Sequence, residues 1–185
     1  MIDTIQKDAA DKMQHAVDFV REDMATIRTG RAHPAMFNKI NAEYYGAPTP
    51  LQQLAQFTSP DPRSLLITPF DRSAIGAIEK AIRDSDLGLN PASQGEIIRV
   101  PMPALTEERR KELIKVVKHE GEGAKVAVRN LRRDANAHLK DALKAKTISE
   151  DEERRAQDDV QKLTDKAIVE IDKVLAQKEQ ELMQI

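Results

Sequence analysis

Between Leu105 and Lys146 the chain contains no proline, and no other feature limits its possible folds more. The stretch opens Leu105-Thr106-Glu107-Glu108-Arg109-Arg110-Lys111. Thr106 can cap a helix there, and Glu107 and Glu108 place negative charge on the positive end of its dipole. Apolar residues then recur at Leu113, Val117, Ala124, Val128, Leu131, Ala135, Leu139 and Ala142, mostly three or four apart. That spacing predicts one long amphipathic helix. At about 1.5 Å per residue it is a rod of roughly 60 Å, too long for an ordinary globular helix.

A rod that is apolar on one side needs partners, and the chain holds two more of the same kind. Ile2, Ile5, Ala9, Met13, Ala16, Val20, Met24 and Ile27 keep the spacing over residues 2–28, with Asp3 as a cap and Gly30 as a stop. Ser149-x-x-Glu152 is a capping box, followed by Ala156, Val160, Leu163, Ala167, Ile171, Val174 and Leu182. The simplest way to bury three such stripes is a three-helix bundle, with the second and third rods antiparallel across a short connection. All nine prolines lie between Pro34 and Pro103. In that region Ile40, Ala42 and Tyr44 alternate with Asn41, Glu43 and Tyr45, and Gly46 to Pro50 reads as a turn. Leu54–Thr58, Leu65–Phe70 and Gly95–Val100 read as further strands, and Ser73–Arg83 as one short helix with Ile75, Ile78 and Ile82 inward. The expectation is an α+β protein. A long three-helix bundle of residues 1–30 and 105–185 carries a small inserted α/β domain, mainly β, of residues 31–104. Two connections, near residues 29–31 and 101–105, form a hinge.

The second rod carries a second pattern. At about 100° per residue, Lys111, Lys118, Lys125, Arg129 and Arg132 fall within roughly 60° of one another, about 110° around from the apolar stripe. Nine cations stand against three acids between Arg109 and Arg133. Most charge runs are solvated faces of mixed sign, whereas a one-sided strip ending Arg129-Asn130-Leu131-Arg132-Arg133 suits a phosphate backbone. Such contact must be local, because the whole chain carries −2 and residues 149–185 carry −5 against +5 for 105–148. The reading requires those arginines to face outward and not be neutralised by neighbouring carboxylates. Gly121 and Gly123 interrupt the rod, each at about 1 kcal/mol against alanine. They mark a bend or a close helix approach, the alternative being a break that would divide the strip.

Nothing in the sequence resembles an active site. His15, His33, His119 and His138 sit in no nucleophile or metal motif, and His138 at the edge of the apolar stripe is expected to pack. His119 with Glu122 has ligand spacing, but two residues do not make a dedicated metal site. There is no glycine-rich phosphate loop, and Gly88 reads as part of a turn after a helix. Only 3% of residues are aromatic, which suits helix-on-helix packing, and there is no cysteine to form a disulfide. No secretory signal or membrane span is visible. The expected protein is cytoplasmic, monomeric, without membrane contact, and neither an enzyme nor a holder of metal or cofactor.

The chain resembles the bacterial ribosome recycling factor family over essentially its whole length. The resemblance rests on Ile27-Arg28-Thr29-Gly30-Arg31-Ala32, Tyr44-Tyr45-Gly46 with Thr49-Pro50-Leu51, and Ser85-Asp86-Leu87-Gly88-Leu89-Asn90-Pro91. It rests further on Arg99-Val100-Pro101 with Pro103, Leu105 to Lys111, and Val128-Arg129-Asn130-Leu131-Arg132-Arg133-Asp134-Ala135. It implies an L-shaped, two-domain protein with a tRNA-like outline and a flexible elbow. Such a protein lays its bundle on large-subunit rRNA and acts with elongation factor G, which uses the GTP, to split post-termination ribosomes. On this sequence the rRNA-contacting residues would be Arg132 first, then Arg129 and Arg133. Lys125, Lys118 and Lys111 would extend the strip. Arg110 is a weaker choice because its helical angle falls nearer the apolar stripe, and Arg28 and Arg31, near the elbow, would add to it. The elbow would comprise Gly30, Arg31, Pro101, Pro103, Ala104 and Leu105. Arg28 has a second reading, an intramolecular pair with an acid of the third rod. Periodicity by itself also permits a helical scaffold or chaperone that pairs with other helices.

Overall fold

Three long helices form where the apolar residues recur at three- and four-residue spacing. In the computed structural model, which describes residues 1–184, they are α1 (Ile2–Thr26), α4 (Glu107–Lys144) and α5 (Glu150–Met183). Between α1 and α4 lie β1 (Asn41–Tyr44), β2 (Ala47–Pro50), a single turn α2 (Leu51–Leu54), β3 (Ala55–Asp61), β4 (Ser64–Pro69), α3 (Ile75–Arg83), β5 (Ala92–Gln94) and β6 (Ile97–Pro101). The chain divides into two compact units. One comprises Met1–Met24 and Glu112–Gln180; the other comprises Ala25–Lys111 and the segment from Glu181.

The first unit is a bundle of α1, α4 and α5. Ala9 on α1, Ala135, Leu139 and Ala142 on α4, and Ala156 and Val160 on α5 form one buried cluster, closed by Ile148 from the α4–α5 connection. Val17 rather than Ala16 takes the buried position on α1, because four-residue steps from Met13 suit the contact better than three. Asp3 lies inside the first turn of α1 and not at its cap, and α1 ends four residues short of Gly30. The capping box at Ser149 is made: the Glu152 amide donates to Ser149 Oγ at 3.1 Å, and the Ser149 amide to Glu152 Oε1 at 3.3 Å. At the head of α4 the Arg109 amide donates to Thr106 Oγ1 at 3.1 Å. The helix runs unbroken through Gly121 and Gly123. Gly121 is buried, and a Cβ there would overlap Leu175 of α5, with Cδ2 at 2.7 Å and Cγ at 3.0 Å, so this glycine marks a close approach of two helices. Nothing lies within 4 Å of a Cβ built on Gly123. His138 is exposed and is not packed as the sequence suggests.

The second unit holds a four-stranded antiparallel sheet ordered β3-β4-β6-β5 and a separate hairpin of β1 with β2. Leu65 opposite Val100 and Ile67 opposite Ile98 face inward and are fully buried with Phe37, Leu51, Ile78 and Ile82. The stretch from Gly46 to Pro50, expected as a turn, is mostly β2. The reversal is confined to Tyr45 and Gly46, both at positive φ (50° and 78°), as a two-residue hairpin turn requires. Pro48 and Pro50 are tolerated because β2 has only β1 as a neighbour. Ahead of β1, Phe37 ends a 3-10 turn capped by His33. Backbone hydrogen bonds from Ala32 to Pro62 (2.6 Å) and from Met102 to Arg63 (2.8 Å) fasten both connecting segments to the β3–β4 turn. Pro101, expected in the hinge, is the last residue of β6 and pairs with Ser64.

Candidate nucleic-acid interface

The outward side of α4 is set by what its other side buries. Val117, Gly121, Val128, Ala135 and Leu139 face the bundle core, so side chains about a quarter-turn away lie along the edge of the helix toward solvent. Lys118 is exposed there and Lys125, Arg129 and Arg132 are half-buried, while Arg133, about 100° further round the helix from Arg132, is exposed. Lys111, in the first turns of α4, is exposed and 3.4 Å from Glu107, an i,i+4 surface pair that leaves it largely solvated.

The cations differ in what they meet. Lys125 Nζ forms an ion pair with Asp172 of α5, and its side chain is only 20% exposed, so its charge is largely satisfied within the bundle. Arg129 lies 3.5 Å from Glu122, seven residues back on the same helix, with 42% of its side chain exposed. Among the described residues no carboxylate pairs with Arg132: Nη1 donates to Gln161 Oε1 of α5 at 3.0 Å. Its Nε is buried without a hydrogen-bond partner. Of these two arginines, Arg129 faces a carboxylate and Arg132 a neutral amide.

Three other cations with the expected basic character sit elsewhere. Arg28 is buried, only 8% exposed, with its guanidinium donating to the carbonyls of Pro103 and of Thr29 (3.3 Å to the latter). Burial first, and neighbouring Arg109 second, lower its pKa. This side chain links two connecting segments through their backbone carbonyls. Arg31 is exposed, its amide bonded to Thr29 Oγ1 at 3.2 Å. Arg110 is half-buried with its Nε buried. Sequence reasoning missed the contributions of α5, namely Gln161, Asp165 and Asp172. The i,i+4 spacing of Gln161 and Asp165 was visible, but nothing in one sequence says which helix edge meets which. Among the described residues no group of three metal-ligating side chains converges, and no helix is long and apolar enough to cross a membrane.

Residues 20–183 match the family model of ribosome recycling factors. The chain is 62% identical over all 185 residues to the ribosome-recycling factor of Azoarcus sp. (strain BH72), with both proteins covered completely. It is 56% identical over the same full span to that of Legionella pneumophila (strain Paris). Its fold is similar to a solution structure of the ribosome recycling factor, with a TM-score of 0.79, 43% identity, and 100% of this chain and 98% of the other covered. It is similar as well, at a TM-score of 0.70, 43% identity and complete coverage of both chains, to a structure from a study of the T. thermophilus ribosome recycling factor and the E. coli elongation factor G bound to the E. coli post-termination complex.

Proposed function

The chain belongs to the ribosome recycling factor family, and from that premise we propose that it splits the post-termination ribosome into subunits together with elongation factor G and GTP. The bundle lies against large-subunit rRNA through the outward edge of α4. Arg132 is the central contact, with Arg129, Arg133 and Lys118 beside it and Lys111 extending the strip. The GTPase holds the nucleotide, and this chain contributes shape and charge but no catalytic group. The segments at residues 29–31 and 101–105 serve as the elbow between bundle and inserted domain.

One observation carries the reading. Arg132 lies beside the core face of α4 and Arg133 about 100° further toward solvent, and neither is matched to a carboxylate in the way Lys125 is. A guanidinium can hold a phosphate at two points, which an ammonium cannot. The test is co-sedimentation with ribosomes together with a subunit-splitting assay containing elongation factor G and GTP. Arg132→Ala should weaken ribosome binding about tenfold or more, the scale of a hydrogen bond to a charged group, and slow splitting in proportion. Its thermal stability should stay that of the parent, since the side chain lies off the core. Unchanged ribosome binding, or destabilisation by several kcal/mol, would refute the assignment.

A further inference from the structure

We infer that Gln161 of α5 is a positioning residue for Arg132, and that it serves because its amide is uncharged. The inference rests on the reading that Arg132 meets rRNA. Arg132 Nη1 donates to Gln161 Oε1 at 3.0 Å, while Gln161 Nε2 donates to Asp165 Oδ1 at 2.9 Å. The two contacts fix the amide's orientation together. A guanidinium can only donate and an ionised carboxylate can only accept, so the amide oxygen must face Arg132 and its nitrogen Asp165. Asp165 lies one helical turn beyond Gln161, where i,i+4 side chains meet.

The result is a relay of two side chains from α5 that holds the Arg132 guanidinium without cancelling its charge. The neighbouring cations show the contrast. Lys125 faces Asp172 directly and Arg129 lies near Glu122, so each of those charges is partly compensated within the protein. At Arg132 the acid stands one residue removed, behind a neutral amide. With Nε buried and Nη1 tethered, the guanidinium loses fewer rotamers when an external anion docks. A glutamate at 161 would hold it as firmly but would compete with the phosphate.

The experiment measures ribosome affinity at fixed magnesium and salt for the full chain and for Arg132→Ala, Gln161→Met and Gln161→Glu, with each position 161 variant also combined with Arg132→Ala. Met keeps the length of the side chain and removes its acceptor. Gln161→Met should weaken binding about three- to tenfold, a part of what one charge-assisted hydrogen bond is worth. Gln161→Glu should weaken it more. With Arg132 already replaced, Gln161→Met should change nothing further, and melting temperatures should match within each pair. If Arg132→Ala itself leaves affinity intact, the rRNA reading fails and this inference goes with it. If Arg132→Ala weakens binding but Gln161→Met does not, or weakens it equally with Arg132 absent, Gln161 does not act through Arg132. If Gln161→Glu binds as well as the parent, the neutrality of the amide is irrelevant and the inference is overturned.

Discussion

Two arginines with similar surroundings in the sequence have opposite fates at the level of the single residue. Arg28 and Arg132 each follow an apolar residue near the polar boundary of a helix stripe, yet Arg28 is buried against main-chain carbonyls and Arg132 is half-buried, with its Nη1 meeting Gln161 in an exposed contact. A buried guanidinium needs acceptors on the protein, and the Pro103 and Thr29 carbonyls supply them. Tyr44 and Asp71 are a second residue-scale pair. The Tyr44 hydroxyl donates to Asp71 Oδ2 at 2.6 Å, while Asp71 also accepts from the Ser73 amide at 2.9 Å. The hydrogen bond to the carboxylate pushes the Tyr44 pKa from 10.0 up to about 12, and the same bond, with Ser73, holds the Asp71 pKa below its ordinary value. Signs follow from linkage. The depressed carboxylate stabilises the fold above the unfolded pKa of about 3.9, and that contribution is lost as pH falls through its folded value. The raised phenol stabilises it below pH 10, and that contribution is lost as pH rises toward 12. Thermal melts from pH 3 to 11.5 should therefore show Tyr44→Phe less stable than the parent on the plateau and the gap closing at both ends. A gap independent of pH would mean that the hydroxyl acts by packing alone.

At the scale of the element, α4 is governed by two glycines of opposite meaning. Both cost helix propensity, but only Gly121 stands where another helix needs the space, against Leu175 of α5. Gly123→Ala should stabilise the protein by about 1 kcal/mol, the propensity difference alone. Gly121→Ala gains the same propensity but overpacks a filled contact, at about 1–3 kcal/mol. It should be net destabilising by about 1 kcal/mol, and Leu175→Ala in the same chain should remove the clash. Urea denaturation of the single variants checks this: shifts of the same sign would show that α4 and α5 do not close on Gly121. The two caps, Thr106 and Ser149, illustrate the opposite situation, in which a helix end is determined by residues within one turn of it.

On the scale of the molecule, the charge pattern decides how the protein can associate. Residues 105–148 carry twelve cations to seven acids and residues 149–185 six to eleven, within a chain of net charge −2. On the proposed reading, attraction to a polyanion would be local to the basic edge of α4. Counterion release makes such binding steeply dependent on salt. With about four phosphate contacts from the α4 edge, ribosome affinity at constant magnesium should fall on the order of a hundredfold between 50 and 200 mM monovalent salt. Arg132→Ala should reduce the slope by about one contact. Flat affinity over that range would point to a protein partner and a different docking face.

The three rods, both helix caps and the composition break at residues 31–104 could all be read from the chain alone, because each depends on periodicity or on neighbours within one turn. On α1 the stripe Ala9, Met13, Val20 and Met24 is buried as the spacing predicts, with Val17 in place of Ala16 alone. Most of the stretch from Gly46 to Pro50 is strand rather than turn, and both differences depend on partners distant in sequence. A helical wheel likewise located the basic edge, since angle around an axis follows from position. Whether each cation on that edge was free, paired or held was settled only when α5 packed alongside. There Asp172 engaged Lys125, Gln161 reached Arg132, and Leu175 filled the space left by Gly121. Side-chain pairing between helices depends on their relative rotation and register, and many distributed contacts set those quantities together.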